Sequence, residues 1–277
     1  MKILSIGDVH GTDVWMYATH NSPQEFSKWI KSGKKDSADL PFMNFDKIIF
    51  VGDYVDSFKI PGVRIFSNLK NIVAFKERYP DKIVLLFGNH DVSYFTRERC
   101  SGYRAEMRAD LEEFFNSKMH LFQLAYEVKT TNELNYLWTH AGVSNGWYRE
   151  FLIELTAHSR FGDLTKDQKL NSIADHLNLG WQYKLDSIFK VDSYSGGYSR
   201  WAGPLWVRPG ILNKNPLKKY VQINGHTRVR NFERHVLEDA VHYLIDCNEN
   251  LVDDNHDITF QGFKLDIDAW SSSKVYK

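Results

Sequence analysis

Residues 48–56, IIFVGDYVD, join a run of strand-forming side chains to Gly52 and then present two carboxylates, Asp53 and Asp56, three residues apart. A short apolar run closed by glycine reads as a buried parallel strand, and the carboxyl ends of such strands are where α/β proteins bind ligands. Two other stretches end the same way: residues 3–6 enter GDVHG (Gly7 to Gly11) and residues 83–87 enter GNHD (Gly88 to Asp91). The three runs deliver Asp8, His10, Asp53, Asp56, Asn89 and His90 to one rim, which predicts a metal site.

The flanking pattern supports an α/β chain. Residues 47–51 and 82–87 bracket residues 63–79, where Ile65, Phe66, Leu69, Ile72, Val73 and Phe75 recur at helical spacing before Pro80. That is a βαβ unit with parallel strands. Upstream, residues 12–20 have helical character, and Ser22-Pro23-Gln24-Glu25 is a capping box that opens a helix through Ile30. Residues 31–39, KSGKKDSAD, read as a solvated loop.

Beyond residue 100 the periodicity predicts a charged helix over 102–118. Strands follow over 121–128 and 134–138, joined by a turn at 129–133, and the second leads into THAG (Thr139 to Gly142). Helices are expected over 147–155 and 166–179. Residues 193–204, SYSGGYSRWAGP, form a loop by composition and run into PLWVRP, which carries Arg208. A strand over 220–224 ends in Gly225-His226-Thr227, and two closing antiparallel strands are read over 236–246 and 258–267. No linker divides the chain, so residues 1–277 are expected to form one domain.

Lys plus Arg and Asp plus Glu each number 35, giving zero formal net charge and no basic footprint of the kind that marks nucleic-acid binders. The two cysteines, Cys100 and Cys247, lack metal-binding or redox spacing and are expected as free thiols in a reducing compartment. Lys2 is followed directly by strand residues, with no apolar leader region and no run near the roughly 18 apolar residues a membrane helix needs. A cytoplasmic protein is the expectation.

Of eleven histidines, His10, His90, His140 and His226 follow strand-like runs at or beside a glycine. The other seven, His20 and His242 among them, are expected to be ordinary packed or surface residues. Carboxylate, imidazole and amide oxygen together suit Mn²⁺, Fe or Zn²⁺, whereas an all-oxygen cage suits Mg²⁺ or Ca²⁺. A carboxylate such as Asp53 can bridge two ions about 3.5–4 Å apart, and such a clamp stabilises in-line displacement at phosphorus while acidifying a bridging water.

GDVHG, GDYVD, GNHD, THAG and NGHT stand in this order between residues 7 and 227, and the chain thereby resembles the calcineurin-like metallophosphoesterases. It is most similar to the phosphoprotein-phosphatase branch, bacterial and phage members especially, because GHT is not followed by a second histidine two residues on. The resemblance implies two mixed β-sheets packed as a sandwich with flanking helices, a four-layer αββα fold. It also implies two divalent ions, Mn²⁺ foremost with Fe or Zn²⁺ as alternatives. Asp8, His10 and Asp53 would hold the first ion, and Asp53, Asn89, His140 and His226 the second. His90 would protonate the leaving oxygen, oriented by Asp56, and Asn89 and Arg208 would contact phosphate.

Two departures stand out. The branch continues GDYVD with Arg-Gly, the arginine being a second phosphate ligand, but here Ser57 and Phe58 follow. The GNHD acid is Asp91 where the branch has glutamate. Arg64, Arg97, Arg99 and Arg200 are candidate substitutes for the missing arginine, with Arg200 favoured because its glycine-containing loop immediately precedes Arg208. The leading reading is a metal-dependent phosphatase of phosphomonoesters, including phosphoserine or phosphothreonine proteins. Hydrolysis of a nucleotide, a dinucleoside polyphosphate or a phosphodiester is a second reading, and a non-catalytic metal-binding scaffold a third. The sequence carries no indication of oligomeric state.

Overall fold

Parallel pairing at the amino-terminal end sets the level at which the three loops emerge. The computed structural model describes residues 1–32, 40–96, 98–131, 134–158, 171–190, 196–247 and 262–268. Strands β1 (Lys2–Ile6), β2 (Lys47–Phe50) and β3 (Ile83–Leu86) are runs of Ile, Leu, Val and Phe buried along nearly their whole length. Such strands lose the apolar/polar alternation because both faces are covered. Ile6 stands beside Phe50 and Phe50 beside Leu85 in register, so Gly7, Val51 and Phe87 follow the strand ends at one edge. The order of this mixed sheet is β10-β1-β2-β3-β4, with β4 (Phe122–Gln123) and β10 (Phe263–Asp266) at its edges and β10 antiparallel to β1.

The second mixed sheet has the order β5-β6-β7-β9-β8: β5 (Ala125–Val128), β6 (Asn135–Thr139), β7 (Tyr220–Asn224), β8 (Glu233–Leu237) and β9 (Ala240–Leu244). β6, β7 and β9 are mutually parallel. The α/β architecture of two mixed five-stranded sheets with helices is the one expected.

The described chain forms two compact units. The first is Met1–Phe122, Arg228–Phe232 and Ile245–Ser271; the second includes Gln123–Thr227 and Glu233–Leu244. The chain enters and leaves each more than once, which is why no linker is legible in the sequence.

Within the first unit, helices α1 (Trp15–His20), α2 (Pro23–Ser32) and α3 (Gly62–Arg78) carry an aromatic core. The buried Trp15 ring packs on Phe26, Phe50 and Phe75 with centroids 5.0, 5.5 and 6.0 Å away. Each such ring contributes about 1.5–3 kcal/mol by leaving water. Within the second unit, helix Asn145–Ala157 is capped by Ser144, whose side chain accepts from Trp147 N, and Trp147 stacks on Phe151 at 5.0 Å. No helix among the described residues is long and apolar enough to cross a membrane.

Three expected elements differ. The helix read over 102–118 begins only at Arg108, after a 3₁₀ turn at Ala105–Met107, because Gly102 takes φ +78 and the backbone of Arg104 is engaged elsewhere. The strand read over 121–128 breaks at Leu124, where Leu124 N and Ala125 N both donate to Asn178 Oδ1 (2.8 and 3.0 Å). The closing strand read over 236–246 is a hairpin, β8 and β9, turning at Glu238-Asp239, and β9 is antiparallel to β8 but parallel to β7. Residues 33–39, 97, 132–133, 166–170, 193–195 and 258–261 of the expected elements and candidates lie outside the described residues.

Candidate metal centre and active site

The first unit gathers Asp8, His10, Asp53, Asp56, Asn89 and His90 on the loops that follow β1, β2 and β3. Backbone bonds stitch the loops together: Val9 N and His10 N both donate to Asp53 O (3.0 and 2.7 Å), and Gly11 N donates to Tyr54 O (3.1 Å). The approach after β2 and β3 is closer still. A Cβ on Gly88 would stand 2.1 Å from Asp53 Oδ1 and 2.4 Å from Asp53 N, so only glycine fits there.

His10, Asp53 and Asp56 have φ of 44°, 53° and 63°, a left-handed backbone that L-residues disfavour. Such strain persists where surrounding bonds over-determine it. At Asp53 those bonds are visible. Asp91, fully buried, accepts from Asp53 N (2.8 Å) and Gly88 N (2.9 Å) on Oδ2, and from Tyr54 N (2.8 Å) on Oδ1.

Asp53 Oδ1 accepts from His90 N at 2.9 Å, while Asp53 Oδ2 lies 3.8 Å from His10 Nε2 and 3.9 Å from His90 Nε2. The ligand-type atoms of His10, Asp53 and His90 all fall within 4.8 Å of one another. His10 Nδ1 lies 2.9 Å from Asp56 O and 3.1 Å from Val55 O, so it is the N–H donor to these carbonyls and Nε2 carries the lone pair. His90 Nδ1 lies 3.0 Å from Asp56 Oδ2. The His10 imidazole, with the backing bonds that orient a metal-binding histidine, and the Asp53 carboxylate fit a divalent ion, while the Asp56 carboxylate on Nδ1 suits His90 to carry a proton beside it.

Electrostatics at His90 oppose one another. Burial works against the imidazolium, but Asp53, the hydrogen bond to Asp56 and the charges of Asp56 and Asp91 outweigh it, and the pKa is raised above the ordinary value. Asp91 is also raised, by burial and by Asp53, with the amides of Gly88 and Tyr54 pulling the other way.

In the second unit His140 is fully buried and its ring lies 5.1 Å from that of His226. Gly225 N donates to His140 O (2.8 Å), tying the two motifs at their backbones. His226, at φ 63°, has Nε2 3.0 Å from Trp206 O, which makes Nδ1 its lone-pair nitrogen. Arg208 donates from Nη1 to His226 O (3.0 Å) and Thr227 Oγ1 (3.2 Å), and from Nε to Gly196 O (3.0 Å). Its guanidinium is thus fixed against the GHT turn.

A family model described as calcineurin-like phosphoesterase matches residues 1–235. The chain belongs to that family. It is accordingly a metallophosphoesterase, a hydrolase of phosphoric esters. Similar solved structures include a cold-active protein-tyrosine phosphatase of a psychrophilic Shewanella species, 14% identical, covering 87% of this chain and 70% of that one with a TM-score of 0.47. A protein serine/threonine phosphatase from Saccharomyces cerevisiae with similarity to human PP5 is 15% identical over 90% and 68% of the two chains, with a TM-score of 0.43. The phosphatase domain of the Legionella effector WipB is 14% identical over 82% of this chain and all of that one, with a TM-score of 0.46.

Within this calcineurin-like frame, the candidate substitutes for the missing arginine fall in different places. Ser57 Oγ accepts from Lys59 N (3.2 Å) and Ile60 N (3.3 Å), forming a turn where the branch carries arginine. Arg200 is exposed and lies over the Trp201 ring at 4.3 Å. Arg64 lies 3.8 Å from Asp13, and Arg99 stands over Tyr103 at 5.5 Å. Arg97 is outside the described residues.

Four residues of the calcineurin-like site had no assigned role in the sequence reading. Asp91 organises the backbone around Asp53, as described. Cys100 Sγ accepts from Asn89 Nδ2 (3.2 Å) and donates to Asn89 O (3.4 Å), fixing which end of that amide is the donor. Burial foremost, then the nearby Asp53, push the Cys100 thiol up, so it packs as a neutral group. Tyr94 and Arg104 close around Asp56 and the turn that follows it. Tyr94 offered one sequence signal: it lies four residues after His90, the spacing that puts side chains on one helical face.

Proposed function

We propose that the protein is a two-metal phosphatase acting on phosphomonoesters, phosphoserine or phosphothreonine proteins among them. The observation that carries this reading is the convergence of His10 Nε2 and His90 Nε2 on Asp53 Oδ2. Asp8, His10 and Asp53 would hold the first ion and Asp53 and Asn89 the second, to which the motif resemblance adds His140 and His226. Residues 1–277 act as one domain in this reading, because the five motifs it uses run from Gly7 to Thr227.

The bound ions, Mn²⁺ in the first instance, supply the Lewis acidity that activates water and neutralises phosphoryl charge. The chain's own groups do the rest. Arg208 binds and orients the phosphate with a guanidinium already anchored at Nη1 and Nε, leaving Nη2 without a partner among the described residues. Asn89 contacts a phosphate oxygen. As water oxygen bonds to phosphorus, the ester P–O bond breaks with its electron pair, and His90 Nε2 gives its proton to the departing oxygen. Asp56, bound to Nδ1, holds the imidazole in that orientation and stabilises its charged form.

The segment after Asp56 supports a second reading. Ser57 stands where the branch has its arginine, and Phe58, 81% exposed, offers an aromatic face where the branch has glycine. That favours a less charged phosphate carrying an aromatic group, as in a nucleotide, a dinucleoside polyphosphate or a phosphodiester. Metal-stripped protein reconstituted with Mn²⁺ should hydrolyse aryl phosphates and phosphopeptides faster than nucleotides, dinucleoside polyphosphates and diesters. The reverse order selects the second reading, and hydrolysis that survives chelation overturns both.

A further inference from the structure

Asp56 divides its two oxygens between two partners. Oδ2 faces His90 Nδ1 at 3.0 Å, and Oδ1 accepts a hydrogen bond from the Tyr94 hydroxyl. Both Asp56 and Tyr94 are buried, Asp56 to 1% exposure and Tyr94 to 0%. The same hydroxyl accepts from Arg104 N at 3.1 Å, and the Tyr94 ring stacks on Tyr103 with centroids 4.7 Å apart. Arg104 then reaches back to the chain after Asp56, Nη2 donating to Ser57 O (3.0 Å) and Ile60 O (2.9 Å). One closed loop of bonds therefore runs through Asp56, Tyr94, Arg104 and the Ser57–Ile60 turn, with His90 on the other oxygen of Asp56.

We propose that Tyr94, seated by Arg104, is the positioning residue for proton donation: it fixes the Asp56 carboxylate so that its other oxygen aims the His90 imidazole at the leaving group. This rests on the reading above that His90 is the proton donor. Asp56 sits at φ 63°, a disfavoured backbone that persists only where surrounding bonds hold it. Without the hydroxyl, Oδ1 would be a buried carboxylate oxygen lacking a donor, a costly state that the carboxylate escapes by rotating away from His90. The arginine missing after Asp56 in sequence is here matched by one whose guanidinium is committed to the backbone of that same turn.

Tyr94→Phe keeps the ring on Tyr103 and removes only the hydroxyl. With the Mn²⁺-loaded protein, kcat on alkyl phosphates should fall about 10–100-fold, the scale of a misaligned catalytic group, while aryl phosphates with acidic phenols fall about threefold or less. Metal content should be unchanged. Adding Tyr94→Phe to His90→Asn should cost nothing further, because both act on one proton. Equal losses on both ester classes, or additive losses in the double variant, overturn the inference.

A readout independent of turnover completes the test. In metal-free protein, nitrogen-edited NMR should show the His90 ring N–H protected from solvent exchange in the wild type and exchanging faster in Tyr94→Phe. Unchanged exchange overturns the positioning role. Failure of the wild type to hydrolyse any phosphomonoester would instead overturn the proposed function, and the exchange measurement would still decide the role of Tyr94.

Discussion

Asp91 Oδ2 accepts the backbone N–H of Asp53 at 2.8 Å, so the carboxylate at the centre of the candidate metal site is held in its left-handed conformation by a second, fully buried carboxylate. The same group binds Gly88 N and Tyr54 N. An amide in its place has one acceptor oxygen and turns N–H toward N–H. Asp91→Asn should therefore cost about 1–3 kcal/mol of stability and weaken metal binding, measured by urea unfolding and by calorimetric titration with Mn²⁺. Unchanged stability and affinity would show that the three amides do not depend on this pair of acceptor oxygens.

Gly88 tests the same geometry from the other side. An alanine Cβ would stand 2.1 Å from Asp53 Oδ1 and 2.4 Å from Asp53 N, and the second contact is backbone that cannot step aside. Gly88→Ala should lower kcat/KM about 10²-fold, the cost of displacing a catalytic group by about 1 Å. Gly210→Ala is the control, since nothing lies within 4 Å of its added carbon. Similar losses in both would point to a general effect of the substitution.

Phosphate binding should separate Arg208 from Arg200. Losing a charge-assisted bond worth about 1.5–3 kcal/mol, Arg208→Ala should raise KM for phosphomonoesters roughly 10–150-fold with metal content intact. Arg200 lies four residues beyond Gly196, whose carbonyl the Arg208 Nε binds, and Arg200→Ala should raise KM by a smaller factor. An unchanged KM removes Arg200 as the second phosphate ligand and moves the substrate toward a less charged linkage.

His20 makes folding sensitive to acid. Its ring is buried among Phe26, Trp29, Phe42 and Phe75, with centroids 4.6 to 5.2 Å away. Burial first, and the Arg78 guanidinium second, lower its pKa from 6.5 to about 3. Between these values the unfolded chain binds the proton and the folded one does not. The stabilisation is fully present above pH 6.5 and is lost as pH falls toward 3, at about 1.4 kcal/mol per pH unit. From pH 6.5 to 5 this group alone should account for about 2 kcal/mol in urea unfolding. His20→Phe should flatten that part of the curve; an identical slope would locate the acid sensitivity elsewhere.

The sequence by itself determined the three strands that set the rim, the order of the five motifs and the ligand types gathered beside Asp53. Those features are local: an apolar run, a glycine and the polar residues that follow it share a few consecutive positions. Helix α3 and strand β7 were legible for the same reason, a period carried by neighbouring residues. Tertiary structure decided the rest. Asp91 reads as the last letter of a motif until its carboxylate meets amides 37 and 38 residues away. Tyr94 and Arg104 become part of the site only through Asp56 and the Ser57–Ile60 turn, 38 to 47 residues distant. The left-handed backbone at His10, Asp53, Asp56 and His226 runs against the intrinsic preference of L-residues, so no local propensity announces it. At Asp53, hydrogen bonds from remote segments hold that conformation, because intrinsic preference opposes it.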